Sequence, residues 1–169
     1  MIKLNVSLLV IATLCAVKLF ATVNFEDFYD IDDFSKHCGT HAVLVCLAER
    51  GLGDLESFDA VDEFLDPDGD GTTTFLRIIE CLETRGVSAI GYRGSISDLS
   101  AGGIFILEIK LRGQPHFSYA WITADSGEAV IFDPALSDKS LTVSLHDLTK
   151  VWSGNFIEIV ALSIGGSDA

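Results

Sequence analysis

From position 38 onward, the spacing of apolar residues divides the chain into a helical half and a strand half. Ala42-Val43-Leu44-Val45-Cys46-Leu47-Ala48 is an unbroken apolar run that begins just after Cys38. It predicts a buried helix from about Cys38 to Arg50, stopped by the C-cap signal Gly51-Leu52-Gly53. Asp54 is placed to cap a second helix, whose apolar positions Leu55, Phe58, Val61, Phe64 and Leu65 keep helical spacing. A third helix starts near Thr73, turns Phe75, Leu76, Ile78, Ile79 and Leu82 inward and ends at Arg85-Gly86.

After Gly86 the pattern shortens to strands. Val87–Tyr92 reads as one, and Ser97-Asp98-Leu99 as a brief helical turn. Gly103–Lys110 is a buried strand, joined through Leu111-Arg112-Gly113-Gln114 to a strand over Pro115–Thr123. Asp125-Ser126-Gly127 turns into Ala129–Asp133, so the last two strands form a hairpin. Ser144 caps a helix to about Trp152, and Asn155–Leu162 is the final strand. Helices first and an antiparallel sheet afterwards define an α+β class. The chain shows neither an internal repeat nor a low-complexity tract.

Composition narrows this picture. At 169 residues with 49% apolar content, the chain can bury one proper core. Its net charge of −14 comes from 11 basic and 25 acidic residues. Such a surface repels nucleic acid and anionic headgroups and suits basic or neutral peptides, and it also keeps an exported domain soluble. Residues 1–21 read as a signal peptide or N-terminal anchor: Lys3 is the positive start, Leu4–Val17 is mostly apolar, and Ala16 and Ala21 are small. Contact with a membrane is expected only through this segment, if it stays uncleaved. The domain would then be periplasmic, secreted or held by that anchor. Residues 22–35 form an acidic lead-in, 36–163 the folded domain and 164–169 a tail.

Without the leader and its Cys15, three cysteines remain: Cys38, Cys46 and Cys81. Cys46 and Cys81 fall on predicted helices that could pack together, so they either bridge or act as two buried thiols. Cys38 is left over in both cases.

Cys38 carries the chemistry. A thiol at a helix N-terminus meets unpaired backbone N–H groups and the positive end of the helix dipole, and both favour the thiolate. Downstream, His116 opens a strand and Asp133 closes its hairpin partner, which returns the carboxylate beside the imidazole. Cysteine at a helix start facing histidine at a strand start is the papain-like arrangement. In it the imidazole moves the proton and a carboxylate fixes its tautomer.

Competing signals are weaker. Asp66-Pro67-Asp68-Gly69-Asp70-Gly71 matches the first half of an EF-hand loop, but the twelfth position is Arg77, a cation where the metal needs an anion. It reads as a solvated acidic turn capping the next helix. His37, Cys38 and His41 could offer mixed ligands to zinc, yet neighbours on a helix diverge and the chain has no Cys-x-x-Cys. His41 is read as a partly buried polar residue and His146 as an exposed one. With no G-x-x-x-x-G-K-[ST] motif, the chain is no ATPase. No metal and no cofactor are called for.

The order Cys38-Gly39, Gly71-Thr72, Arg85-Gly86-Val87, Pro115-His116-Phe117, Asp133-Pro134 and Trp152-Ser153-Gly154 resembles the double-glycine leader peptidases. These are bacteriocin-processing cysteine peptidases, either fused to ABC exporters or free-standing. The resemblance spans roughly residues 32 to 161. It implies a papain-like fold, with Cys38 as nucleophile, His116 as general base and acid, and Asp133 as the orienting residue. It further implies hydrolysis of a peptide bond, typically after Gly-Gly, in a peptide or protein substrate, and a separate ABC exporter as a partner.

Three departures stand out. The family places a glutamine six residues before the cysteine to donate to the oxyanion, and here that position is Asp32. Losing such a donor costs ~10²–10³ in rate and leaves the Cys38 backbone N–H to do the work. His37 replaces the aspartate usual just before the cysteine. The chain also carries an export-like leader, whereas exporter-linked members work on the cytosolic side. The sequence therefore keeps two readings: a cysteine peptidase, or a peptide-binding domain of the same fold that cuts weakly or not at all.

Overall fold

Every residue from Cys38 to Leu47 is buried, as the unbroken apolar run predicts for a helix surrounded on all sides. The computed structural model describes residues 36–53, 57–111, 113–134, 136 and 140–160. The leader, the acidic lead-in with Asp32, Asp54, Leu55 and the C-terminal tail lie outside them.

Helix α1 (Cys38–Glu49) is followed by α2 (Phe58–Leu65) and α3 (Phe75–Glu83). The strand half contains β1 (Ala89–Arg93), α4 (Ile96–Ser100), β2 (Gly103–Leu111), β3 (Gln114–Ile122), β4 (Glu128–Phe132), β5 (Leu141–Ser144), α5 (Leu145–Leu148) and β6 (Trp152–Ile159). The six strands make one sheet in the order β1-β6-β2-β3-β4-β5, and every neighbouring pair is antiparallel. The α+β expectation holds.

Strand alternation divides the core into two layers. Ile106, Phe117, Tyr119, Ile157 and Ile159 join the apolar residues of α1, α2 and α3 on one face. Phe105, Leu107, Ile109, Ala120, Ile122, Ile131 and Phe156 pack on the other face with Leu99 of α4 and Leu145 and Leu148 of α5. The central strand β2 is therefore buried on both sides. Glu108 Oε2 accepts hydrogen bonds from Ser153 Oγ at 2.7 Å and Asn155 Nδ2 at 2.6 Å, where β2 and β6 shift register. This contact, with Trp152 Nε1 donating to Asn155 O at 2.9 Å, gives Trp152-Ser153-Gly154 a structural role.

Several sequence expectations need correction. The second helix is capped by Ser57, whose side chain accepts from Ala60 N, and begins at Phe58. Thr74 caps the third, with its side chain accepting from Arg77 N; the acidic turn does not. That turn closes on itself instead, with Asp66 accepting from the backbone N–H groups of Asp70 and Gly71 at 3.1 and 2.7 Å. Leu76 is 64% exposed, because Ile78, Cys81 and Leu82 define the buried side of α3 and a residue two positions from Ile78 points the opposite way. The late helix stops at Leu148, and Trp152 already belongs to β6. The short edge strand β5, half exposed and too brief to alternate visibly, was not foreseen.

The Cys46–Cys81 bridge is not formed, and both residues are buried thiols. Burial pushes the Cys46 thiol up to about 12. Cys81 Sγ receives a hydrogen bond from Arg85 Nη1 at 3.1 Å, which holds it within its own helix end.

Candidate active site

Cys38 is the first residue of α1, and two contacts set where it stands. On one side, Asp62 of α2 takes hydrogen bonds on Oδ1 from the His37 ring at 2.7 Å and from Thr40 Oγ1 at 2.6 Å. That pins the residue before Cys38 and the residue two after it to the same carboxylate. On the other side, Gly39 lets Thr73 approach so closely that an added Cβ would lie 2.5 Å from Thr73 Cγ2. Glycine after Cys38 is thus a packing requirement.

His116 lies in β3 at 2% exposure. Its Nε2 is 2.6 Å from Asp133 Oδ2, and Cys38 lies close enough to help raise the ring's pKa. With Nε2 committed to the carboxylate, Nδ1 is the ring nitrogen left for the sulfur. Asp133 reaches this position because the β3–β4 ladder pairs Tyr119 with Phe132, so one step further brings Ser118 opposite Asp133. The hairpin predicted from sequence therefore places the carboxylate beside the imidazole. Sulfur, ring and carboxylate lie together, with the ring hydrogen-bonded to the carboxylate.

The proton inventory follows from these contacts. Burial alone would lower the His116 pKa, but hydrogen bonds and charge from Asp133 and Cys38 outweigh it and raise the ring to about 9. His116 is an imidazolium at neutral pH, held between two partners that favour its charge. His41, one turn along α1, behaves oppositely: burial holds it down at about 4, so it is neutral. Its ring packs against Phe58 at 5.5 Å. His41 is more deeply buried than the sequence suggested, whereas His146 is exposed on α5.

The zinc alternative finds no ligand set. His37 is engaged by Asp62, and among the described residues no group of three His, Cys, Asp or Glu side chains could hold a metal ion. Asp32, the oxyanion position, is outside the described residues. The sequence reading missed Ser118, which is 1% exposed and donates its hydroxyl hydrogen bond to Asp133 Oδ2. A signal was present: Ser118 is two residues from His116 on one strand, so both side chains face the same way.

Such a series can do nucleophilic chemistry, with a sulfur to attack, a charged ring to deliver a proton and a buried carboxylate to hold the ring. Comparison with known proteins gives the fold independently. No family model and no curated protein sequence matches the chain. Solved structures do match. A double-glycine-motif protease from an AMS/PCAT transporter, solved in complex with the leader peptide, is similar at a TM-score of 0.62 and 17% identity, covering 78% of this chain and 89% of that one. The peptidase domain of Streptococcus ComA, a bifunctional ABC transporter involved in quorum sensing, gives 0.61 and 20%, over 78% and 94%. The N-terminal peptidase C39-like domain of a toxin secretion ATP-binding protein from Vibrio parahaemolyticus gives 0.53 and 19%, over 73% and 97%. The chain shares the papain-like fold of these double-glycine peptidase domains.

Proposed function

We propose that this protein is a cysteine peptidase of the double-glycine leader type, cleaving peptide bonds with Cys38, His116 and Asp133. The observation that supports this reading is the buried His116–Asp133 pair, held at 2.6 Å beside Cys38 at the start of α1. Cys38 Sγ attacks the scissile carbonyl, and the Cys38 backbone N–H at the helix start donates to the oxyanion. His116 gives its proton to the leaving amine, leaving a thioester. Water then attacks that thioester as His116 takes a proton from it, and the acyl product leaves as a carboxylic acid with the thiolate and imidazolium restored. No cofactor enters this cycle. The substrate is a peptide or protein, cut after Gly-Gly, and the partner is a separate ABC exporter. Residues 1–21 direct export, which leaves the domain periplasmic, secreted or anchored.

Asp32 favours a second reading. A carboxylate at the oxyanion position opposes developing negative charge, so the same cleft would bind a leader peptide and cut it slowly. One experiment separates the two. The mature protein is incubated with a synthetic peptide containing a Gly-Gly site, alongside Cys38→Ala and Asp32→Gln. A peptidase cleaves, the Ala variant does not, and the Gln variant cleaves faster by up to ~10²–10³. Tight peptide binding by all three without cleavage identifies the binding domain instead.

A further inference from the structure

We propose that Ser118 is a positioning residue of this site: its hydroxyl fixes which oxygen of Asp133 faces His116 and shares that oxygen's negative charge. The inference rests on the proposed Cys38–His116–Asp133 chemistry and adds a residue that acts on it through the carboxylate.

The geometry is specific. Ser118 and His116 alternate along β3 and so project to the same side, and both reach Asp133 Oδ2. Ser118 stands opposite Asp133 one step beyond the Tyr119–Phe132 pair, so the strand register itself supplies the contact. At 1% exposure, the hydroxyl has no bulk water to turn to. A donor on the same oxygen from the same strand narrows the range over which that oxygen can turn away from the ring.

The second effect is electrostatic. An oxygen that accepts two hydrogen bonds is a weaker acceptor for each, because each donor draws off part of its charge. Ser118 therefore tempers the pull of Asp133 on the His116 proton. A ring held too strongly as imidazolium is slow to surrender its proton to the leaving amine.

The test uses the full chain and follows the His116 ring by NMR titration, beside cleavage of the Gly-Gly peptide. Removing the hydroxyl in Ser118→Ala raises the His116 titration midpoint by about half to one pH unit. It also lowers kcat roughly tenfold with KM unchanged, since nothing that binds substrate is altered. Ser118→Cys keeps the size with a weaker donor, shifts the midpoint the same way by less, and carries the test if the Ala variant does not fold. Midpoints equal to wild type in the folded variants overturn the proposal. The titration needs no catalysis: a wild type that cuts nothing, with a midpoint that still answers to Ser118, removes the peptidase reading and leaves this inference standing.

Discussion

At the residue scale, the site is a matter of which nitrogen and which oxygen meet. His116 has its pKa raised from 6.5 to about 9, with burial opposing and the Asp133 and Cys38 contacts prevailing. A raised histidine contributes stability that is complete below its unfolded value and disappears as pH climbs through the folded one. Cleavage should follow the same limb, falling above about pH 9 as the ring loses the proton it must deliver. A kcat–pH profile checks this, and a profile still rising at pH 10 would contradict the assignment of His116. Cys38 is 8% exposed against 1% for Cys46 and 0% for Cys81, so of these three brief alkylation of the native protein should label Cys38 first, as peptide mapping would show. The meeting of His116 and Asp133 was legible in the sequence because the two residues lie at the ends of a predictable hairpin. The Ser118 contact was not, because the i+2 spacing from His116 puts the serine on the same face but the strand register alone brings it opposite Asp133.

At the element scale, what holds Cys38 in place is the packing of three helices around the start of α1. Gly39→Ala should cost ~1–3 kcal/mol in a urea melt, because the new Cβ meets the Thr73 methyl at 2.5 Å. Thr73→Ser removes that methyl, so the double variant should recover most of the loss. Failure to recover would place the strain elsewhere. Asp62→Ala leaves the buried Thr40 hydroxyl without its acceptor and releases the His37 ring, for a cost of about 1–3 kcal/mol. The buried helix, the hairpin and the α+β order were readable from apolar spacing and turn residues. The boundaries of α2 and α5 were not. Caps such as Ser57 compete with equally plausible neighbours such as Asp54, and tertiary contacts choose between them. Leu76 was misjudged because an apolar residue in a helix carries no label saying which face it occupies.

At the scale of the whole molecule, two histidines displaced in opposite directions shape stability against pH. His41 is depressed to about 4 by burial, so its contribution is present above its unfolded value of 6.5 and disappears as pH falls towards 4. His116 erodes stability on the alkaline side, from 6.5 up through about 9. Together they predict a maximum near neutral pH. Each limb is worth a few kcal/mol, because a tenfold difference in proton affinity between folded and unfolded chains amounts to about 1.4 kcal/mol. Replacing His41 with Gln should flatten the acid limb and leave the alkaline one, as urea midpoints between pH 4 and 9 would show. The sheet order β1-β6-β2-β3-β4-β5 brings the last strand beside β2, a long-range pairing that no local pattern encodes.

The central claim, that Cys38 and His116 act as one chemical unit, is tested most directly by the rate of iodoacetamide alkylation at Cys38. Rapid modification at pH 7 is expected in the wild type, with a rate about tenfold or more lower in folded His116→Ala. An equal rate in the two proteins would contradict it.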